Sequence, residues 1–414
     1  MIALVDCNNF YVECERMFQP ELKNKPVVVL SNNDGCIVSR SQEVKELGIP
    51  MGIPVFQARD DLLFNDIKMR SSNYALYGDM SSRVTSTLRQ FTQQVEEYSI
   101  DESFLKLPTC NDNEILGKEI VNTVKQWTGL PVSVGTGQTK SLAKLANKVA
   151  KKYKLDAFDL VNHPQKNKVL DHISVRDVWG IGRRYAEKLN ANGIETAYQL
   201  SRANDKWVQK QLTISGLRIA MELRGIPCLP LELAPNPKKS IGRSRSFGLT
   251  VDNIEALKQA LAMHCTSAAK VLREQKQAAG CLRISIETNP FVEPYHGKNI
   301  VANLETPTAS TPALIKAAHE GLKQIYRKGE SYTRAGIHLM NLCPEDSIQT
   351  NLWWNPNTEK NEELMAVVDR LMVKFGRQKI RWASEGIDRK WAMRQTHMSK
   401  RYTTKWDEIP VVRN

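Results

Sequence analysis

Apolar positions are spaced along this 414-residue chain in two ways, and the spacing changes several times. Short, β-branched apolar runs occur at IALVD (2–6), KPVVVLS (25–31) and PVSVGTG (131–137), and each predicts a strand. Apolar residues recurring every three or four positions predict helices at FYVECERMF (10–18), SRSQEVKELGIPMG (39–52, stopped by Gly48 and Pro50), near 75–90, around 113–127 and at TKSLAKLANKVAKKYK (139–154). Strands alternating with helices over the first 165 or so residues imply an α/β or α+β sheet domain. Residues 166–232 read as helical around DVWGIGRRYAEKLNANGI. A proline-rich break, PNPKKSIGRSRSFG, then leads into a long helix (248–275), the strand CLRISIETN, a helix at 311–328 and the strand RAGIHLMNL. There is no internal repeat and no low-complexity tract.

One strand breaks the pattern. YSIDESFLKL (98–107) alternates but carries Asp101 and Glu102 side by side. Neighbouring strand residues point to opposite faces, so these two carboxylates share a site only if the chain turns or bulges beneath them.

Composition adds a partner class. A hydrophobic fraction of 41% is that of a folded chain, and the length suits two to four domains. The start has no basic n-region, and the longest run without Asp, Glu, Lys or Arg is the 14 residues 126–139. Neither a signal peptide nor a membrane span is expected, and the eight scattered cysteines show no zinc-ligand spacing, so a cytoplasmic protein with reduced thiols is the reading. The net charge of +13 points to a polyanion, with nucleic acid first among polyanions.

Where the charge sits sharpens this. Residues 138–154 hold six lysines and no acid on one amphipathic helix, a stripe that repels itself unless an anion lies nearby, such as a phosphate. Lys238, Lys239, Arg243 and Arg245 form a basic edge entering a new domain. Residues 377–405 carry nine Lys or Arg against two acids, with Trp382, Trp391 and Tyr402 interleaved, a composition that suits nucleic acid or a docked protein.

Asp6 ends an apolar strand, where a bare carboxylate is costly unless it is paired or metal-bound. If its strand neighbours that of Asp101 and Glu102, three carboxylates meet at one sheet edge, and hard oxygen ligands without His or Cys select Mg²⁺. Two-metal phosphoryl or nucleotidyl transfer needs such a set. The residues alone equally allow Asp6 to cap a helix and the hairpin pair to form an exposed turn.

Six segments in order resemble the Y-family translesion DNA polymerases, and among them the UmuC-type catalytic subunits of bacterial DNA polymerase V. They are VDCNNFYVECE, NKPVVVLSNNDGCIVSRSQEVKELGIPMG (Asn24 standing where Gly is usual), SSNYALYGDMS, YSIDESFL, SVGTGQTKSLAKLANKVAK and VWGIGRR, and the likeness extends to the terminal RYTT. The resemblance implies an α+β multi-domain fold shaped as a right hand. Its parts would be a palm sheet with small fingers in 1–165, a helical thumb with a helix-hairpin-helix in 166–236, an α/β little finger in 237–345 and a C-terminal partner-binding tail in 346–414.

The resemblance also implies residue roles. Asp6, Asp101 and Glu102 match the metal-binding carboxylates, with the Cys7 main-chain oxygen beside them, for two Mg²⁺ ions. Tyr11 matches the steric gate beneath the incoming sugar, Phe10 packs near the triphosphate, and Lys151 meets the triphosphate. Many relatives carry Tyr and Arg in the fingers helix where this chain has Gln42 and Lys45; Lys45 keeps a charge for phosphate but loses the bidentate fork. Gly180 and Gly182 match the thumb hairpin that brings backbone N–H groups to a DNA phosphate, with Arg243 and Arg245 as further DNA contacts.

The implied activity is error-prone, template-directed synthesis past lesions in the bacterial SOS response, on primer-template DNA and dNTPs, in the cytoplasm and at the nucleoid. The implied partners are a cleaved UmuD-like dimer and a RecA filament. In SIQTNLWW, Gln349, Leu352 and Trp353 fit the pattern of peptides that dock on the sliding clamp, the competing reading being tryptophans packed on the little finger. A non-catalytic DNA-binding repair scaffold and a cyclase-type palm are the rival functions.

Overall fold

The run IALVD becomes the strand Ile2–Cys7, the middle strand of a five-stranded sheet in the computed structural model, which describes residues 1–109, 112–234, 236–348, 357–376 and 379–411. Its neighbours are Glu102–Lys106 and Val132–Gly137, both antiparallel to it; Val95–Glu97 and Ala157–Asp159 form the two edges. Alternation sends Ala3, Val5 and Cys7 to one face, against Phe10, Val12, Tyr77, Ile120 and Val124 of the helices Phe10–Phe18, Tyr74–Leu88 and Asn113–Thr128. Leu4 and Phe104 face the other way, against Ala143 of the lysine helix, Lys140–Lys152. With both faces covered, the central strand reads as a continuous apolar run.

A small sheet of Ile37–Arg40, Val27–Leu30 and Lys68–Ser71 lies in the same contact unit. The helix expected over 39–52 shrinks to Gln42–Glu46, because Ile37–Arg40 is claimed by pairing with Val27–Leu30. The helices Lys166–Asp171, Arg183–Asn190, Ala197–Arg202 and Asp205–Arg224 share a core with the lysine helix, where Leu142, Leu145 and Val149 meet Leu170, Leu189, Leu200 and Leu212.

The second unit has a four-stranded antiparallel sheet in the order Gly297–Thr308, Gln277–Thr288, Tyr332–Pro344, Ile241–Val251. The helices Ile254–Glu274 and Thr311–Ile325 share its core. The helix expected from 248 starts only at Ile254: GLTV completes a strand, and the Asn253 side chain caps the helix by accepting from Ala256 N–H. The strand Gly297–Thr308, GKNIVANLETPT, was not expected; its apolar residues are too sparse to stand out.

Contacts divide the chain more coarsely than the four expected parts. One unit is Met1–Ser31, Gly35–Pro235 and His397–Asn414, the other Asn32–Asp34 and Asn236–Thr396. The C-terminal region is therefore shared. Arg273 grips Asp369 through two N–H···O bonds of 2.7 and 2.8 Å, and Trp391, 7% exposed, packs edge-on against Phe247 in the second unit. Tyr402 stacks on Phe18 in the first, with ring centroids 4.9 Å apart. All three interleaved aromatics are thus spent on packing, Trp382 against the core of the second unit. Among the described residues no helix is long and apolar enough to cross a membrane.

Candidate active site

The central strand and the hairpin strand are neighbours, and their register places Asp6 opposite Glu102. Asp101 joins them because the chain turns just before the strand. The Ser99 hydroxyl donates to the Asp101 carboxylate (2.6 Å) and accepts from Glu102 N–H (3.0 Å), while the Asp101 carbonyl accepts from Cys7 N–H (2.9 Å). This local turn lets two adjacent carboxylates end at one sheet edge.

Asp6, Glu102 and Glu96 lie on the face covered by the lysine helix, and that helix answers each with an ammonium group. Lys151 Nζ is 2.5 Å from Asp6, Lys144 Nζ 2.9 and 3.0 Å from the two Glu102 oxygens, and Lys140 Nζ 2.5 Å from Glu96. Lys148 pairs with Asp177 at 2.5 Å. The anions facing the stripe are therefore the protein's own carboxylates. The sign of the charge was readable in the sequence, but these partners were not, since they come from three separate strands. The Lys144 ammonium also lies over the rings of Tyr98 (4.5 Å) and Trp179 (5.4 Å), and the Trp179 indole N–H donates to the Tyr98 hydroxyl at 3.1 Å.

Burial pushes the Asp6 carboxyl up to about 6, with the Glu102 and Asp101 charges adding to the rise and Lys151 only partly opposing it. A carboxylate that costs this much to ionise is one that a further cation would stabilise. The Cys7 thiol is buried and pushed up, so only its main-chain oxygen is available as a hard donor. Hard oxygens on two adjacent strands suit Mg²⁺. Among the described residues no three His, Cys, Asp or Glu side chains surround a common point, and two of the carboxylates are paired with lysines. Gathering them about an ion requires those ammonium groups to yield.

The burial of Asp6 makes a testable stability difference. A raised native pKa means that the folded state holds the proton more tightly, so the parent protein loses stability as pH rises from about 4 to 6. Without divalent ions, Asp6→Asn should be the more stable protein at pH 7, by up to about 3 kcal/mol, and should lose most of that advantage below pH 4. Urea titrations at the two pH values decide it; an equal difference at both would refute the burial argument.

Tyr11 stacks on Tyr77 with ring centroids 4.4 Å apart and planes 14° apart, and Tyr74 meets Tyr11 edge-on at 6.3 Å. Phe10 is buried in the core on the face of the five-stranded sheet opposite the lysine helix. Asn9, with φ 50°, precedes this helix, and its carboxamide oxygen accepts from Lys45 Nζ at 2.5 Å, which brings Lys45 to the same end of the first strand. Burial and the nearby Lys151 and Arg40 charges hold Lys45 below the usual lysine range. Gln42 is engaged with Glu46.

Gly180 has φ 85°, and a Cβ there would lie 2.5 Å from Ile219; Gly182 opens the helix Arg183–Asn190 with nothing near its missing side chain. Arg243 and Arg245 lie on the strand Ile241–Val251 of the second unit, Arg243 donating to the Ser267 hydroxyl (3.3 Å) and to the Gly242 carbonyl. Gln349, Leu352 and Trp353 lie outside the described residues.

Residues 5–148 match the impB/mucB/samB family, 238–352 the C-terminal domain of that family and 362–412 a domain of unknown function, DUF4113. Protein SamB of Salmonella typhimurium is 41% identical over 100% of both chains, and Protein UmuC of Salmonella typhimurium is 41% identical over 99% of both. DNA polymerase IV of Oceanobacillus iheyensis is 24% identical over 91% of this chain and 90% of its own. A solved Y-family DNA polymerase chimera superposes with a TM-score of 0.66 over 83% of this chain and 100% of its own, at 20% identity, a likeness of fold.

Proposed function

Because the chain belongs to the impB/mucB/samB family, we propose that it is a DNA-directed DNA polymerase of the Y-family, inserting nucleotides opposite damaged template bases. The observation that carries this reading is the cross-strand pair Asp6–Glu102, with Asp101 turned in beside it at the end of the central strand. Residues 1–165 would serve as palm and fingers, 166–236 as thumb, 237–345 as little finger and 346–414 as tail.

Two Mg²⁺ ions held by Asp6, Asp101, Glu102 and the Cys7 carbonyl would supply the charge that stabilises the attacking and leaving oxygens. The rest is the work of this chain's side chains. Lys151 and Lys144 pair with the carboxylates of Asp6 and Glu102, and Lys151 together with Lys45, at the same end of the first strand, would meet the charge of a triphosphate. Tyr11, backed by Tyr77, presents a ring where a ribose 2′-hydroxyl would collide. Gly182 leaves the backbone N–H groups at the start of its helix uncovered for a DNA phosphate, and Gly180 shapes the turn before it. Arg243 and Arg245 would neutralise duplex phosphates. Gln42 has no evident share in nucleotide binding.

Purified protein given a primer-template with an abasic site, dNTPs and Mg²⁺ should extend the primer across the lesion in a template-dependent way. DNA binding without extension would favour a repair scaffold, and turnover of nucleotides without DNA a cyclase-type palm.

On this reading the protein works in the SOS response, with a cleaved UmuD-like dimer and a RecA filament as partners, and the likeness to Protein UmuC supports it. SIQTNLWW would dock the sliding clamp. Replacing Gln349, Leu352 and Trp353 together by alanine should abolish clamp-stimulated synthesis and leave extension of short primers intact. Equal loss of both would make the tryptophans core residues.

A further inference from the structure

The chain returns to the palm at its C-terminal end. His397 and Ser71 exchange two hydrogen bonds, His397 N–H to the Ser71 hydroxyl and Ser71 N–H to the His397 carbonyl, both 3.0 Å. Asn73 comes next. Its carboxamide oxygen caps the helix Tyr74–Leu88 by accepting from Leu76 N–H, and its NH₂ donates to the Ser399 hydroxyl (2.9 Å) and to the Lys400 carbonyl (3.1 Å). The Ser399 hydroxyl, so fixed as an acceptor from Asn73, donates to the Glu15 carboxylate at 3.0 Å. Tyr402 then stacks on Phe18, at the far end of the helix that carries Glu15.

Glu15 is fully buried, and three donors hold its charge. The hydroxyls of Ser399 and Tyr77 (2.7 Å) share one oxygen and the Gln19 amide (3.0 Å) takes the other; Gln19 is in turn gripped by Arg70. Burial pushes the carboxyl up, while these donors and the Arg70 charge pull it back. The Tyr77 phenol, also buried and pushed up, stays protonated and remains a donor. Its ring is the one on which Tyr11 stacks at 4.4 Å. An unbroken path of contacts thus runs from the C-terminal strap to the aromatic ring proposed to meet the nucleotide sugar.

We propose that Ser399 is a positioning residue for sugar discrimination: the strap 397–402 fixes Glu15, Glu15 fixes Tyr77, and Tyr77 sets the height and tilt of Tyr11. This rests on the reading of Tyr11 as the sugar gate. It assigns part of the region matched by the domain of unknown function to the polymerase's own selectivity. The physical basis is the cost of a buried charge. Without the Ser399 hydroxyl, Glu15 loses one of two donors on the same oxygen, and the carboxylate turns or admits water, shifting Tyr77. The preferred geometry of a stacked pair is favoured about three- to tenfold over others, and selectivity that depends on that geometry shifts with it.

The experiment measures kcat/KM for matched ribonucleotides and deoxyribonucleotides with the full-length protein as wild type, Tyr11→Ala, Ser399→Ala, Ser399→Thr and the double variant Tyr11→Ala/Ser399→Ala. Ser399→Ala should raise the ribonucleotide share about three- to tenfold with kcat for deoxyribonucleotides unchanged. Ser399→Thr, which keeps the hydroxyl, should behave as wild type, and the double variant should be no less selective than Tyr11→Ala alone. If Tyr11→Ala relaxes selectivity and Ser399→Ala does not, or if the two effects multiply in full, the strap does not act through the gate and the proposal is overturned while the gate stands. If Tyr11→Ala itself leaves selectivity unchanged, the gate assignment falls and takes the proposal with it. Should Ser399→Ala fail to fold, Tyr77→Phe removes the other hydroxyl on the same Glu15 oxygen, and unchanged selectivity there overturns the proposal.

Discussion

Asp101→Ala should lower nucleotide incorporation by about 10³-fold or more, equivalent to about 4 kcal/mol of transition-state stabilisation, while leaving the fold intact. The separation follows from how Asp101 is held. It sits in the turn before the hairpin strand, its carboxylate receives the Ser99 hydroxyl, and its contribution to the sheet is the main-chain carbonyl that accepts from Cys7 N–H, which alanine keeps. Asp6 behaves differently, since its burial ties any substitution to stability as well as to activity. Single-turnover incorporation and thermal melting on the same preparation separate the two quantities. Extension within a few-fold of wild type would remove Asp101 from the metal-binding set. A fall in melting temperature matching the fall in activity would make its role structural.

Gly135→Ala should destabilise the protein by about 3 kcal/mol or more, although it adds a single methyl group. A Cβ at Gly135 would lie 2.0 Å from Asn147 N and 2.5 Å from the Ala143 carbonyl oxygen, which are main-chain atoms of the lysine helix and have no rotamer to give. Gly135 lies in the strand Val132–Gly137, beside the central strand, where it pairs with Leu4. Relief would require the helix to move away from the sheet, carrying Lys144 and Lys151 with it. Lost stability should therefore come with weakened nucleotide binding. Gly182→Ala is the control: nothing lies within 4 Å of a Cβ there, so the expected cost is about 1 kcal/mol or less. Denaturant midpoints of the two variants give the comparison, and equal midpoints would refute the close-approach argument.

Much of the candidate site was legible because it rests on local signals. Asp6 stood out as a carboxylate closing an apolar strand, Asp101 and Glu102 as a break in alternation, and the lysine stripe as a charge imbalance within one helix. The C-terminal basic stretch misled for the same reason. Its aromatics sit among charges in sequence, yet Trp391 packs on Phe247 and Tyr402 on Phe18, residues more than 140 and 380 positions away. Glu15 gave no signal at all, since an acid in an amphipathic helix ordinarily faces water. Tyr77 and Ser399, arriving from elsewhere in the chain, join the nearby Gln19 amide to make its burial tolerable.

The sequence by itself determined much of the local alphabet of this protein: most of the runs that form strands and helices, the acids at strand ends, the glycines and caps at turns, and the excess of positive charge. These depend on side-chain period and backbone freedom within a few residues. The tertiary structure alone decided what each charge faces. Strand order and register set Asp6 opposite Glu102 and laid Glu96 on the same face, so that the lysines of one helix meet three of the protein's own carboxylates. The fold likewise brought the C-terminal strap 397–402 onto the helix of Tyr11. Pairings of this kind join residues up to 384 positions apart, and whether they form is decided by the packing of the whole sheet and its helices, which no local pattern encodes.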